Sequence, residues 1–168
     1  MSLTMHSMTV EQFVPMLQNL QRILEKAEAY ATAKKIEPGV MEELRLAPDM
    51  LSFTRQVQLA SDFAKNGTAR LAGVEPPKFE DNEKTLADLK ARIAKTVDYL
   101  QSLQAAQLAG TETRHIVVPL RTRTLEMDGL PFLQKWVLPN FFFHVTTAYA
   151  LLRHVGVEVG KQDFLGSL

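Results

Sequence analysis

Two pairs of polar residues have the types and the spacing to do chemistry. Asn140 and His144 lie four apart in NFFFHVTTAYALLRH (140–154), and Gln58 and Asp62 lie four apart in RQVQLASDFAK (55–65). Residues four apart on a helix share a face. Two such faces turned toward each other inside a helical bundle form the kind of interior polar site in which metals are held. Imidazole and carboxylate suit zinc, nickel, iron or manganese, and amide oxygens can supplement them. The same residues support a plainer reading, because a buried histidine must be hydrogen-bonded and a nearby Asn or Asp would serve. Residue types alone leave both readings open.

The composition narrows the field. The chain has 168 residues, 46% of them hydrophobic and 23% charged, which predicts one soluble domain over residues 1–168. Nineteen basic residues balance nineteen acidic ones, so no global field draws nucleic acid or an anionic membrane to the surface. The absence of cysteine removes disulfides, cysteine-ligated zinc, iron–sulfur clusters and thiol nucleophiles. No apolar run approaches the length that spans a bilayer, and the opening MSLTMHSMTVEQF has no basic region followed by an apolar one. The expectation is a cytoplasmic protein with no membrane and no nucleic-acid partner.

The elements that must position the polar pairs are read from periodicity. Thr9-Val10-Glu11-Gln12 fits a capping box. Phe13, Met16, Leu17, Leu20, Ile23, Leu24, Ala27 and Tyr30 then form one apolar stripe to about Ala33, with Pro38-Gly39 as the stop. Asp49 is the expected cap of a second helix whose inward positions are Met50, Phe53, Val57, Ala60, Ala64 and Leu71. The stretch AGVEPPKFEDNEK, with its adjacent prolines, reads as a loop. From Thr85, a third stripe runs through Leu86, Leu89, Ile93, Val97, Leu100 and Leu103. Residues 114–128 alternate instead, which predicts a small edge-like hairpin or extended excursion limited by Pro119. Asp128-Gly129 turns into a short helical piece, and the last long helix should start at Pro139, which cannot sit inside a continuous helix. Gly156 is its expected left-handed cap. The fold class is all-α: a four-helix bundle with a long crossover between the third and fourth helices.

The fourth helix carries a further implication. Successive residues point about 100° apart, so Phe141, Phe142 and Phe143 cover most of its circumference. A helix apolar nearly all round is covered on more than one side, and another subunit is the simplest second cover. The expectation is a homodimer packed partly through this helix. His154 reads as a cap-like residue favoured by the helix dipole. Arg114, Arg121 and Arg123 read as a solvated hairpin, and Phe164 and Leu165 as a tail that folds back over apolar surface.

The segments RLAPDM, RQVQLASDFAKNGTARLAG and FFFHVTTAYALLRHVGVEVGKQDFLG resemble a bacterial branch of the DinB-like helical-bundle superfamily, a group described as a domain of unknown function, over nearly the whole chain. The resemblance implies a DinB-like four-helix bundle. Many DinB-like members carry three metal-binding histidines, one on the second helix and an H-x-x-x-H pair on the fourth, and some act as metal-dependent thiol transferases or hydrolases. In that register His144 is the second member of the pair, Asn140 replaces the first, and the histidine of the second helix falls near Gln58, four before Asp62. One histidine of three is retained. The resemblance therefore implies either a residual Gln58/Asp62/Asn140/His144 site for a divalent metal such as zinc or nickel, or a binding or stress-associated protein whose residual pocket takes a small polar ligand.

Overall fold

The computed structural model describes residues 3–167. Four long helices form the bundle: α1 (Val10–Lys34), α2 (Phe53–Ala72), α3 (Leu86–Ser102) and α6 (Leu138–His154). Between the third and fourth come a short helix α4 (Ala105–Leu108), a 3-10 turn (Thr111–Thr113), strands β1 (His115–Pro119) and β2 (Thr124–Asp128), and a short helix α5 (Gly129–Phe132). A last short helix, α7 (Lys161–Leu165), lies against α1. The predicted all-α bundle with a crossover and a hairpin is the observed fold.

Each predicted stripe is the buried face of its helix except at Met50, which lies three residues before α2 in a folded-back segment and is only half-buried, outside the core. Phe13, Leu17, Leu20, Leu24 and Ala27 of α1, Phe53, Val57, Ala60, Ala64 and Leu71 of α2, and Leu89, Ile93 and Leu100 of α3 are fully buried in one core with Phe141, Val145, Ala148 and Leu152 of α6. Burying a large apolar side chain of this kind stabilises the fold by about 1.5–3 kcal/mol. The helices pack as a ring in which α2 lies along both α6 and α3, and α3 along α1.

The helix ends differ from the expectation in instructive ways. Thr9 does precede α1, but its hydroxyl donates to the Met5 carbonyl at 2.6 Å and makes no capping bond. An N-terminal turn, residues 5–9, has already engaged it. At the other end α1 stops at Lys35, whose φ of 55° is left-handed, three residues before Pro38. Here the Ile36 amide reaches back to the Ala31 carbonyl at 2.9 Å, so the stop is a hydrogen-bonded C-cap and not the proline. Helix α2 is preceded by Ser52 and not by Asp49, because the Phe53 and Thr54 amides are taken by the carbonyls of Leu44 and Glu42 in the folded-back 39–50 segment. A complete capping box does form on α3, where Thr85 and Asp88 exchange bonds of 3.1 and 3.0 Å.

The hairpin pairs antiparallel with Val117 opposite Glu126, and its inward residues Ile116 and Val118 are buried. Gly156 has a φ of 98°, as expected of a left-handed cap. Phe164 is half-buried, with its ring edge-on to Tyr149 at 5.8 Å, whereas Leu165 stays exposed.

The largest difference lies before α6. The helical backbone does not begin at Pro139: it runs on from α5 through a π-helical turn (Leu133–Val137), whose flanking residues Phe132 and Leu138 both have right-handed helical dihedrals. Within an α-helix Pro139 would clash with the preceding turn and leave a carbonyl unmatched. The wider π turn, a one-residue excess in the spiral, lets the chain pass into the proline without stopping.

Candidate functional site

The polar face of α2 meets α3 and the loop between them in a cluster of charges. Arg92 of α3, only 4% exposed, lies at its centre. Its Nη1 donates to Glu83 Oε1 at 2.9 Å and to the Glu80 carbonyl at 3.1 Å, and its Nη2 to Asp62 Oδ1 at 2.9 Å, with Asp81 Oδ1 at 3.0 Å. Burial by itself would lower the pKa of Arg92. The Glu83 hydrogen bond and the charges of Asp62, Glu83 and Asp81 reverse that and hold it above its ordinary value.

Lys65, 3% exposed, pairs with Asp62 at 3.3 Å and donates to the Pro77 carbonyl at 2.7 Å. Its ammonium stands 4.1 Å above the Phe79 ring, and Lys95 reaches the same ring at 4.2 Å. Burial lowers the pKa of Lys65, with Asp62 opposing and the Arg92 charge adding. Gln58 completes the cluster: its Oε1 accepts from Arg55 at 2.6 Å, and its Nε2 donates to Glu83 Oε2 at 2.7 Å. The loop of residues 74–85 is thereby strapped onto α2 and α3 by its own carboxylates and carbonyls. Charge-assisted hydrogen bonds of this type are roughly twice as strong as neutral ones.

His144, 7% exposed, belongs to a different neighbourhood. Its Nδ1 is 2.7 Å from Gln56 Oε1, and the Gln56 Nε2 donates to the Leu51 carbonyl at 3.1 Å. That second bond fixes which end of the amide faces the ring, so Nδ1 carries the proton and Nε2 is the unprotonated nitrogen. The imidazole stacks on Phe63 at 5.6 Å and meets Phe143 edge-on at 5.2 Å. Burial, followed by the Arg55 charge, pushes its pKa down to about 4. At neutral pH it is a neutral, hydrogen-bonded core histidine.

Asn140, one turn before His144, donates its amide to the Trp136 carbonyl at 2.7 Å. It serves the irregular backbone that the π turn and Pro139 create. Thus α2 and α6 do lie side by side, yet the two polar pairs are spent separately: Gln58 and Asp62 on the ionic strap, His144 on Gln56, and Asn140 on its own helix. No group of three or more His, Asp or Glu side chains among the described residues is placed to hold a metal ion. With a single imidazole, a carboxylate paired to two cations and two amides already engaged, the residues present do not fit a divalent ion.

Sequence reasoning passes over Arg92, Lys65, Glu83 and Gln56. For Arg92 a signal existed: three residues after Leu89 and beside Ile93, it stands within the apolar stripe of α3, where a cation requires partners. The identity of those partners, on an irregular loop, had no periodic signature.

On the next face of α2 the structure opens a cleft of about 210 Å³. Leu59, Phe63, Asn66 and Arg70 form one wall, Val118 and Leu120 of the hairpin region a second, and Phe132 and Trp136 the third. Phe63 and Trp136 meet edge-on at 6.0 Å. The floor is set by Gly67: a Cβ there would stand 2.5 Å from Val137 Cγ1, so only glycine lets the π turn approach α2 this closely.

Comparison with known proteins fits this architecture. The family described as "Domain of unknown function (DUF1993)" matches residues 5–165. The chain belongs to that family. It is also similar to a DinB family member protein from Shewanella denitrificans, whose crystal structure superposes with a TM-score of 0.91 at 45% identity, over 97% of this chain and 92% of that one. No curated protein matches the sequence. The family unit takes in the ionic strap, the hairpin, the π turn and the cleft, all of which fall within the matched residues. The resemblance to an uncharacterised DinB-like branch is thereby shown.

Proposed function

We propose that this DinB-like protein acts by binding a small ligand, without metal-dependent catalysis, in the cleft between α2 and the π turn that leads into α6. The observation that carries this reading is the contrast in how side chains are used: Asp62 and His144 are engaged by Arg92, Lys65 and Gln56, whereas Arg70 and Asn66 line an aromatic-walled cleft with, among the described residues, only the long Arg70 bond to the Asn66 carbonyl. Ligand sites are concave and mostly apolar, with a few placed polar groups. At about 210 Å³ the cleft is smaller than the common range, which suits a ligand of one ring or less.

The helix that frames it also supports a homodimer. Phe141 is fully buried, Phe142 half-buried and Phe143 54% exposed beside His144, so one of the three rings of α6 is left half uncovered by the described residues. A second copy supplies that cover, and sedimentation at micromolar concentration returning a monomer removes this part of the reading.

Trp136 is the single tryptophan and lines the cleft, so its emission reports occupancy. Titration with single-ring fragments should change that emission saturably, while dialysis against zinc or nickel followed by elemental analysis finds no stoichiometric metal. Stoichiometric zinc that His144→Ala abolishes, together with unresponsive Trp136 emission, would overturn the reading in favour of a metal centre on Gln58, Asp62, Asn140 and His144.

A further inference from the structure

We propose that the cleft selects a single-ring aromatic carboxylate, with the ring against the cleft-facing sides of Phe63 and Trp136 and the carboxylate on Arg70 and Asn66; this rests on the binding reading above and names its ligand class. Arg70 and Asn66 are four apart, on one face of α2, and both line the cleft. Arg70 is half-buried and, among the described residues, has no carboxylate within ion-pair distance. Its Nη1 only reaches back to the Asn66 carbonyl at 3.4 Å, a long bond that leaves most of its five donors unused. The Asn66 side-chain amide has no hydrogen-bond partner among the described residues.

The other charges near Arg70 are accounted for. Asp62, on the same wall, is offset by Arg92 at 2.9 Å and Lys65 at 3.3 Å. Glu75 acts on Arg70 through space without pairing to it, and burial lowers the Arg70 pKa, so desolvation of this cation is uncompensated by any ion pair. Across the cleft, Val118, Leu120, Phe132 and Val137 are uncharged, and the exposed Arg121 and Arg123 beyond them add positive potential. An anion therefore meets a favourable field and an unfilled guanidinium fork, whose planar donors match a carboxylate.

Size and shape define the remainder of the ligand. A dry cavity of about 150 Å³ suffices for benzene, so about 210 Å³ accommodates one ring and a carboxylate. The edge-on arrangement of Phe63 and Trp136, with Phe132 behind, gives a planar aromatic body offset and edge contacts of the favourable kind.

The test uses the full chain, with benzoate and phenylacetate as probes and benzyl alcohol as the uncharged control, affinities being measured by calorimetry and by Trp136 emission. The carboxylates should bind about tenfold tighter than benzyl alcohol, as expected of a charge-assisted hydrogen bond. Arg70→Gln should remove that preference by weakening the carboxylates far more than benzyl alcohol, and Arg70→Lys should restore part of it. Urea melts of each variant confirm that the fold persists. Equal affinity for the carboxylates and benzyl alcohol, or a preference that survives Arg70→Gln, overturns the carboxylate assignment while leaving the cleft as a binding site. Failure of all three probes to bind overturns both.

Discussion

Two faces of one helix, α2, have been used in opposite ways. Toward α3 it presents Gln58, Lys65 and Asp62, the last also bordering the cleft, and each is engaged by Arg92, Glu83, Arg55 or a loop carbonyl. One residue further round, Phe63, Asn66 and Arg70 face the hairpin and the π turn, and there the polar groups have little to bond. The difference separates what holds this bundle together from what it has to offer a ligand. A densely paired ionic network, here with only the buried Arg92 Nε left without a partner among its described groups, fixes one arrangement, while an unpaired cation beside aromatic walls is a place where binding energy remains to be gained.

The comparison breaks first at Arg92. Removing one partner of a buried charge network costs about 3–5 kcal/mol, because the carboxylates left behind are unpaired. Arg92→Ala should lose that much in urea denaturation and release the 74–85 loop to proteolysis. Arg70→Gln, on the open face, should change stability by under about 0.5 kcal/mol, because half-buried Arg70 makes only one long hydrogen bond and no ion pair among the described residues. Equal costs at the two arginines would erase the distinction drawn here.

His144 gives the next effect. Its folded pKa, about 4, lies below the ordinary 6.5, so the unfolded chain takes up a proton first as the pH falls. The stability contributed by burying the neutral ring is present above pH 6.5 and is lost as pH falls from there through about 4. The loss amounts to about 3 kcal/mol at the acid end of that window, at about 1.4 kcal/mol per pKa unit. His144→Gln keeps a donor for Gln56 and should flatten the pH dependence of the urea midpoint between pH 6.5 and 4 relative to the parent. A parallel pair of curves would show that the histidine is not buried as described.

The smallest effect concerns how close the two walls of the cleft lie. Gly67→Ala should favour a helix by about 1 kcal/mol, yet the added methyl would meet Val137 at 2.5 Å. Overpacking of this kind costs about 1–3 kcal/mol, so net destabilisation is expected, with rescue in the double variant carrying Val137→Ala. A stabilised Gly67→Ala would mean that the π turn stands farther from α2.

Much of this fold was legible in the sequence, for a physical reason: the stripes of α1, α2 and α3 repeat at three and four residues because their helices bury one side, and Ile116 and Val118 alternate because a hairpin does. What remained hidden involved choices made by the rest of the molecule. Ser52 precedes α2 in place of Asp49 because distant carbonyls had claimed the first amides. The π turn was invisible because Pro139 signals a helix start and a bulge equally well.

The candidate site was less legible still. Gln56 and Gln58 are about 200° apart on a helix, so reading Gln58 as the companion of His144 placed it on the wrong side, and the structure gives that role to Gln56. The strap residues Glu83 and Asp81, held by Arg92 and Arg55, come from a loop with no period to read. Arg70 stands out only once its surroundings show that no carboxylate of the described residues pairs with it.

The central claim is that ligand binding belongs to the open face of α2 and not to the closed one. A two-dimensional amide correlation spectrum recorded during a benzoate titration tests it most directly. Shifts should concentrate at Phe63, Asn66, Arg70 and the Trp136 indole, with Gln56, Gln58 and Arg92 unmoved. Shifts centred on Gln56, Gln58 and His144, with the Trp136 indole unchanged, would contradict it.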